Sequence, residues 1–321
     1  MISAVLLGIL VVVFLFLAIG PLESLSWWSD EGADEARETV AEIRSRQQAA
    51  GGEVPYPAYV VYLSGIGAID GNSIPAEEKP LLDELRRRLP DHCIIGDVFP
   101  YSVANRGLTA QRPLATLWRW VEKSRFKNPE ALPGMLVNAR NAIQLFVCAD
   151  RRYGPTYNIG TTQEVLKALL RNGYQLGSDV PVTLIGWSGG AQIALGASWY
   201  LGLAGLPLQV ISVGGMMSDD YGLDRIRHLH HLRGSKDPLT RLGEVMFAGR
   251  WPKAIGSPWS RALKQGRITV WDLGPMQHNV KEHYFDAEAK APDGRTYLEV
   301  TTDAVEAILR GQPVRVIPTP T

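Results

Sequence analysis

Gly186-Trp187-Ser188-Gly189-Gly190 is the stretch of this sequence best suited to covalent chemistry. A serine with glycines two places before and two places after fits a sharp, strained turn that lifts its hydroxyl clear of the backbone. The G-x-S-x-G pattern also arises by chance in glycine-rich turns, so its neighbours decide. Before it, Val180-Pro-Val-Thr-Leu-Ile-Gly186 is an apolar run of strand length. After it, Ala191, Ile193, Ala194, Leu195, Gly196 and Ala197 read as a small-residue helix. A strand, a tight turn and a helix would aim the helix's first amides at the serine, where its positive dipole end favours an oxyanion. Ser188 is therefore the candidate nucleophile. The other concentration of reactive side chains is His228, His230 and His231. In a strand His230 and His231 point to opposite faces, and no carboxylate lies at hand, so a structural role is expected rather than a metal site. No cofactor is expected.

The elements that must position Ser188 alternate along the chain. Tyr59–Leu63 is a β-branched and aromatic run that ends in the turn Ser64-Gly65-Ile66-Gly67. Leu81, Leu82, Leu85 and Leu89 then recur at helical spacing, and residues 93–99 read as the next strand. A helix carrying Val165, Leu166, Leu169 and Leu170 stops at Gly173. Strands are expected at 208–213, 226–232 and 268–273. A last helix is expected over 303–310, with Thr302 as its cap and Gly311 as its stop. Strands separated by helices imply a mostly parallel sheet of about six main strands, covered by helices on both faces.

At the elbow the chain resembles the α/β-hydrolase superfamily, and the strand–helix order from Pro57 to Arg310 agrees with it. The resemblance implies a triad in the order serine, acid, histidine. For the acid it points to Asp237, in Gly234-Ser-Lys-Asp237-Pro238 after a strand, with Asp219 and Asp220 as rivals. A plain alternative for Asp237 is capping the next turn. For the base it points to His278, in the loop after the last strand; His283, five residues on and expected in a helix, is the rival. The oxyanion hole would take the backbone N–H groups of Ile66 and Gly189. The sequence departs from the family in having Ser64-Gly65 where a His-Gly dipeptide is common, and in lacking an obvious pair of leading strands.

The outer parts of the chain are different in kind. Residues 1–20 carry no charge and match the length of a bilayer-spanning helix. No Lys or Arg precedes the apolar run and Pro21 follows the one passable cleavage site, which favours an uncleaved single-pass anchor over a signal peptide. Trp27 and Trp28 suit a membrane interface, and Arg37, Arg44 and Arg46 lean the domain toward the cytoplasmic side. A polar, partly helical spacer at 21–56 then leads to a domain at 57–311 and a tail at 312–321. Within the domain, 107–157 is a candidate lid, its helical face made by Leu114, Leu117, Trp118 and Val121, although an apolar stripe at this spacing is equally that of an ordinary packed surface helix.

Thirty-three Lys and Arg balance 33 Asp and Glu, so no basic excess suggests nucleic acid. Cys93 and Cys148 lie in apolar runs and are expected as buried thiols. Together these readings lead to a serine hydrolase acting on a small-molecule acyl ester or lipid at a membrane. The alternatives are an inactive scaffold on the same fold, or an acyltransferase or peptidase using the same triad.

Overall fold

The computed structural model describes residues 54–68, 74–101, 132–150, 152–279 and 281–317. Its centre is a six-stranded sheet in the order β2-β1-β3-β4-β5-β6, with every neighbouring pair parallel. The strands are β1 (Tyr59–Leu63), β2 (Cys93–Ile95), β3 (Val182–Trp187), β4 (Leu208–Val213), β5 (Leu229–Arg233) and β6 (Ile268–Asp272). Every residue of β1 and β3 is buried, which is why both read as unbroken apolar runs rather than alternating ones.

Alternate residues of each strand feed two separate cores. On one face, Tyr59, Val61 and Leu63 join Val165 and Leu169 of α3 (Gly154–Arg171) and Ala194 and Leu201 of α4 (Gly190–Leu203). On the other, Val60 and Tyr62 join Leu81, Leu82 and Leu85 of α1 (Lys79–Arg88) and Val300, Ala304 and Val305 of α7 (Tyr297–Leu309). Between α1 and α3 lies α2 (Leu132–Ala149), and α5 (Pro238–Met246) and α6 (Pro258–Lys264) connect β5 to β6. The chain runs from β1 outward to β2, then returns past β1 to build β3 through β6. The order therefore reverses between β1 and β3, and the crevice beyond their carboxyl ends is where open parallel sheets bind ligands.

Several boundaries differ from the sequence expectation. Strand β2 stops at Ile95, not residue 99, and Val98 and Phe99 are buried from a loop leading to Pro100. Strand β5 begins at Leu229, not 226, because residues just before it leave a short 3₁₀ turn at Tyr221–Asp224. Helix α7 begins six residues earlier than expected. Thr296 caps it in a reciprocal box with Glu299, whereas Thr302 is fully buried inside the helix and donates its hydroxyl back to the Leu298 carbonyl.

Of the 107–157 segment, residues 132–149 form α2, which packs against α3 and α4; the face formed by Leu114, Leu117, Trp118 and Val121 lies outside the described residues. So do the apolar run 1–20 and residues 21–53 of the spacer. Among the described residues no helix is long and apolar enough to cross a membrane. Of the tail, Ile317 is buried and packs against Gly274.

Candidate active site

Ser188 occupies the turn between β3 and α4 with φ +51°, a left-handed conformation that costs a non-glycine residue energy. The surrounding glycines explain how the turn closes. A Cβ on Gly186 would lie 2.4 Å from the Ala191 Cα, and one on Gly190 would lie 2.2 Å from the Leu63 carbonyl oxygen. Neither obstacle is a movable side chain, so any larger residue would push α4 away from the sheet. The Ser188 amide still donates to the Val213 carbonyl at 3.0 Å, which ties the turn to β4.

Three side chains from three loops meet there in one hydrogen-bonded line. Ser188 Oγ lies 2.8 Å from His278 Nε2, and His278 Nδ1 lies 2.9 Å from Asp237 Oδ2. An ionised carboxylate only accepts, so the proton sits on Nδ1, and Nε2 is left to accept from the serine hydroxyl. The His278 ring also stacks on Trp187, with centroids 4.6 Å apart and planes inclined by 16°. The imidazole is thus held through its edge by Asp237 and through its face by the residue next to the serine.

Asp237 is buried and has two jobs. Its Oδ1 caps α5 by accepting from the Leu239 amide at 2.9 Å, while Oδ2 accepts from His278 and from the Tyr284 hydroxyl at 2.8 Å. One carboxylate therefore both caps α5 and faces the imidazole. Burial works against its ionised form, but the hydrogen bonds from His278, Tyr284 and the Leu239 amide outweigh it and hold its pKa below the usual carboxylate value. Tyr284 is fixed in turn, because its oxygen accepts from the Gly234 amide at 2.6 Å. Sequence reading passed over Tyr284. An aromatic residue in an irregular loop carries no periodic signal, and only its closeness to His278 in the chain could have drawn attention to it.

The loop that carries His278 is closed by the Gln277 amide donating to the Glu282 carbonyl and by a bridge pairing Gln277 with His283. Glu282 adopts φ +69°, so the two non-glycine residues with left-handed backbones among the described residues both serve this site. His283 is not in a helix, contrary to expectation: the bridge holds it in extended loop geometry. Its Nδ1 accepts from the Phe285 amide, and its ring lines a surface groove with Glu77, Pro80 and Lys281. Asp219 and Asp220 line a separate cavity of about 320 Å³ with Cys148, Asn158, Trp199 and Tyr221. There Asp220 caps the 3₁₀ turn and accepts from Gln192.

The structure also brings Ile66 to Gly189: a Cβ on Gly189 would lie 2.9 Å from the Ile66 Cγ2. Among the described residues neither amide donates a hydrogen bond. The loop after β1 is pinned from three directions. Asn141 of α2 donates from Nδ2 to the carbonyls of Ile66 (2.6 Å) and Ala68 (2.8 Å). The Tyr101 hydroxyl donates to the Ser64 carbonyl at 3.1 Å. Buried Glu78 accepts from the Gly65 amide at 3.2 Å and from the Tyr62 hydroxyl at 2.8 Å. Burial pushes the Glu78 pKa up to about 7, against the pull of its hydrogen bonds. None of these three supports was found by sequence reading.

The histidine cluster is absorbed by the sheet. His231 is buried with Nδ1 at 3.1 Å from Ser212 Oγ, His228 Nε2 meets Thr269 Oγ1 at 2.8 Å, and the Trp271 indole donates to His230. Burial lowers the pKa of His231 to about 3 and of His230 to about 4. Among the described residues no three His, Cys, Asp or Glu side chains gather as a metal-binding group. Cys93 and Cys148 are both buried free thiols.

The fold and this constellation define a parallel α/β protein with a serine, a histidine and an aspartate aligned at the switch point of its sheet. No protein-family model matches the chain, and no curated protein matches its sequence.

Proposed function

We propose that this chain is a serine hydrolase of the α/β-hydrolase type, cleaving carboxylic esters of hydrophobic acyl groups through an acyl-enzyme intermediate. The observation that carries the reading is the unbroken line from Ser188 Oγ through His278 to Asp237, with the serine on a left-handed turn. His278 Nε2 takes the hydroxyl proton as Ser188 attacks the acyl carbonyl. Asp237 keeps the proton on Nδ1 and stabilises the imidazolium that forms. The tetrahedral oxyanion rests on the amides of Ile66 and Gly189, where one donor is worth about 3 kcal/mol. His278 then returns its proton to the leaving alcohol, and water repeats the sequence to free the acid.

In the same reading, residues 1–20 anchor the enzyme in a membrane as a single-pass helix, and no metal or cofactor takes part. The preference for hydrophobic acyl groups rests on that anchor. It predicts that hydrolysis quickens as the acyl chain lengthens; a flat or falling series removes it.

The decisive experiment treats the full chain in detergent with a fluorophosphonate and maps the modified peptide. Phosphonylation is expected at Ser188. It should vanish in Ser188→Ala and fall by at least about 10⁴-fold in rate in His278→Ala, since the nucleophile and base act as a unit. A folded, unlabelled protein would overturn the proposal.

A further inference from the structure

The stretch that follows Asp237 presents apolar side chains to solvent. Helix α5 exposes Leu242, Val245 and Met246, spaced i, i+3 and i+4 on one side, while Thr240 and Gly243 face inward. Trp251 continues the same surface, because its indole donates to the Val245 carbonyl at 3.1 Å. Ile255 is 81 % exposed and lines a shallow groove of about 600 Å³ together with Met246. Scattered exposed hydrophobics are ordinary, but five on one continuous segment form a patch of the kind that marks a binding surface.

The charge around this patch is not that of the whole chain. The full sequence is balanced, yet residues 238–267 contain the basic residues Arg241, Arg250, Lys253, Arg261, Lys264 and Arg267 against the single acid Glu244. Of these, Arg250 is buried beside Glu244, Arg261 and Arg267 pair with Asp224, and Asp219 also lines the groove. Arg241, Lys253 and Lys264 are exposed, and none forms an ion pair among the described residues. Apolar residues with a tryptophan among them, bordered by unpaired cations, are the composition of a face that sinks into the headgroup layer of an anionic bilayer.

We infer that the α5 face, centred on Val245, Trp251 and Ile255, docks on an anionic lipid surface. The choice of a bilayer as occupant rests on the reading of residues 1–20 as an anchor, and not on the hydrolase chemistry. Thirty-three residues separate that run from Val54, where the described domain begins. Such a length of chain reaches at most about 120 Å, enough to let any face of the domain meet the membrane. Docking through α5 would act on the site directly, since Asp237 is the N-cap of that helix. The carboxylate of Asp237 would then lie eight residues, about 12 Å along the helix axis, from Val245.

The test attaches an environment-sensitive fluorophore to Val245→Cys and Ile255→Cys in the full chain, with Gln312→Cys on the exposed loop after α7 as control. The native thiols are buried, so unmodified protein serves as the labelling blank. Vesicles of phosphatidylglycerol with phosphatidylcholine should blue-shift the emission at 245 and 255 and reduce its quenching by iodide several-fold. The control should not move, pure phosphatidylcholine should give a much smaller shift, and added salt should weaken the effect. Flotation of the same samples reports anchoring independently. A chain that floats with silent probes keeps the anchor and overturns the docking face, and a chain that neither floats nor shifts overturns both. An equal shift on neutral vesicles removes the anionic surface. A shift that grows with protein concentration and needs no vesicles assigns the patch to a second copy of the chain and overturns the inference.

Discussion

The two flanks of Ser188 are built on different principles. On one side, Asp237 and His278 present their own side chains from the loops after β5 and β6; Asp237 caps onto the nearby Leu239 amide, and the His278 loop is closed locally by the Gln277 amide donating to the Glu282 carbonyl. On the other side, Ile66 and Gly189 offer only backbone amides, and their loop is set by Glu78, Tyr101 and Asn141 from distant parts of the chain. The first flank depends on chemical identity, whereas the second depends on position. A substitution on the first should therefore change what the site can do, and one on the second should change how well it does it.

The sharpest test of this contrast lies at the acid. Asp237→Asn keeps the shape of the side chain but offers an amide donor where His278 Nδ1 needs an acceptor, so the imidazole loses the tautomer that serves the serine. The turnover number for an ester substrate should fall by about 10⁴-fold, with little change in KM. Tyr284→Phe makes a milder cut on the same flank, removing one donor to Asp237 and leaving the Gly234 amide without its acceptor. It should lower turnover by about 10-fold, in line with one hydrogen bond to a charged group. Steady-state kinetics on both variants check this. An Asp237→Asn enzyme as fast as Tyr284→Phe would show that the carboxylate does no more than cap α5.

The opposite flank is probed by Asn141→Ala, which removes both hydrogen bonds that hold the carbonyls of Ile66 and Ala68. Serine, histidine and aspartate stay in line, so phosphonylation of Ser188 should persist while ester turnover falls by about 10- to 100-fold. That drop is smaller than the roughly 10² to 10³ seen when an oxyanion donor is lost outright, because the amide is loosened and not deleted. Equal losses of labelling and turnover would mean that Asn141 supports the whole site, and the distinction between the flanks would fail.

The same contrast explains what could be read from the sequence. Gly186 and Gly190 announce the elbow because a Cβ at either would meet backbone, that of Ala191 and of Leu63, and Ser188 stands between them as a reactive type on a left-handed turn. Asp237 before Pro238 and His278 after β6 were singled out only through the resemblance, which looks for an acid and a histidine in the loops after the last two strands. The parallel sheet of about six strands followed from apolar runs separated by helical ones, whereas the order of its strands did not. The loop after β1 was locatable only as a position, since an amide is common to nearly all residues. Glu78, Asn141 and Tyr284 stayed hidden because what gives each its role is a partner 13, 75 and 47 residues away in the chain. Thr296 was missed as the α7 cap for a more local reason: apolar periodicity marks the middle of a helix more firmly than its first turn.

Glu78 gives the finest test, through pH. Its carboxyl has a pKa near 4.5 when exposed in the unfolded chain and about 7 in the fold. Between those values the native protein holds a proton that the unfolded chain has released. Stability from this group is therefore greatest below pH 4.5, declines as pH rises to about 7 and is flat above. The decline amounts to about 3 kcal/mol. His230 and His231 act in the opposite direction, since both are held neutral in the fold and lose stability as pH falls below 6.5. A wild-type profile would mix the two, so the informative quantity is the difference from Glu78→Gln at each pH. Glutamine keeps an acceptor for the Gly65 amide but cannot ionise, so its denaturation midpoints should gain on those of the wild type steadily between pH 4.5 and 7 and run parallel above. A constant difference across that range would mean that the carboxyl stays ionised behind the loop. The second flank would then be held by a buried charge, and no longer by position alone.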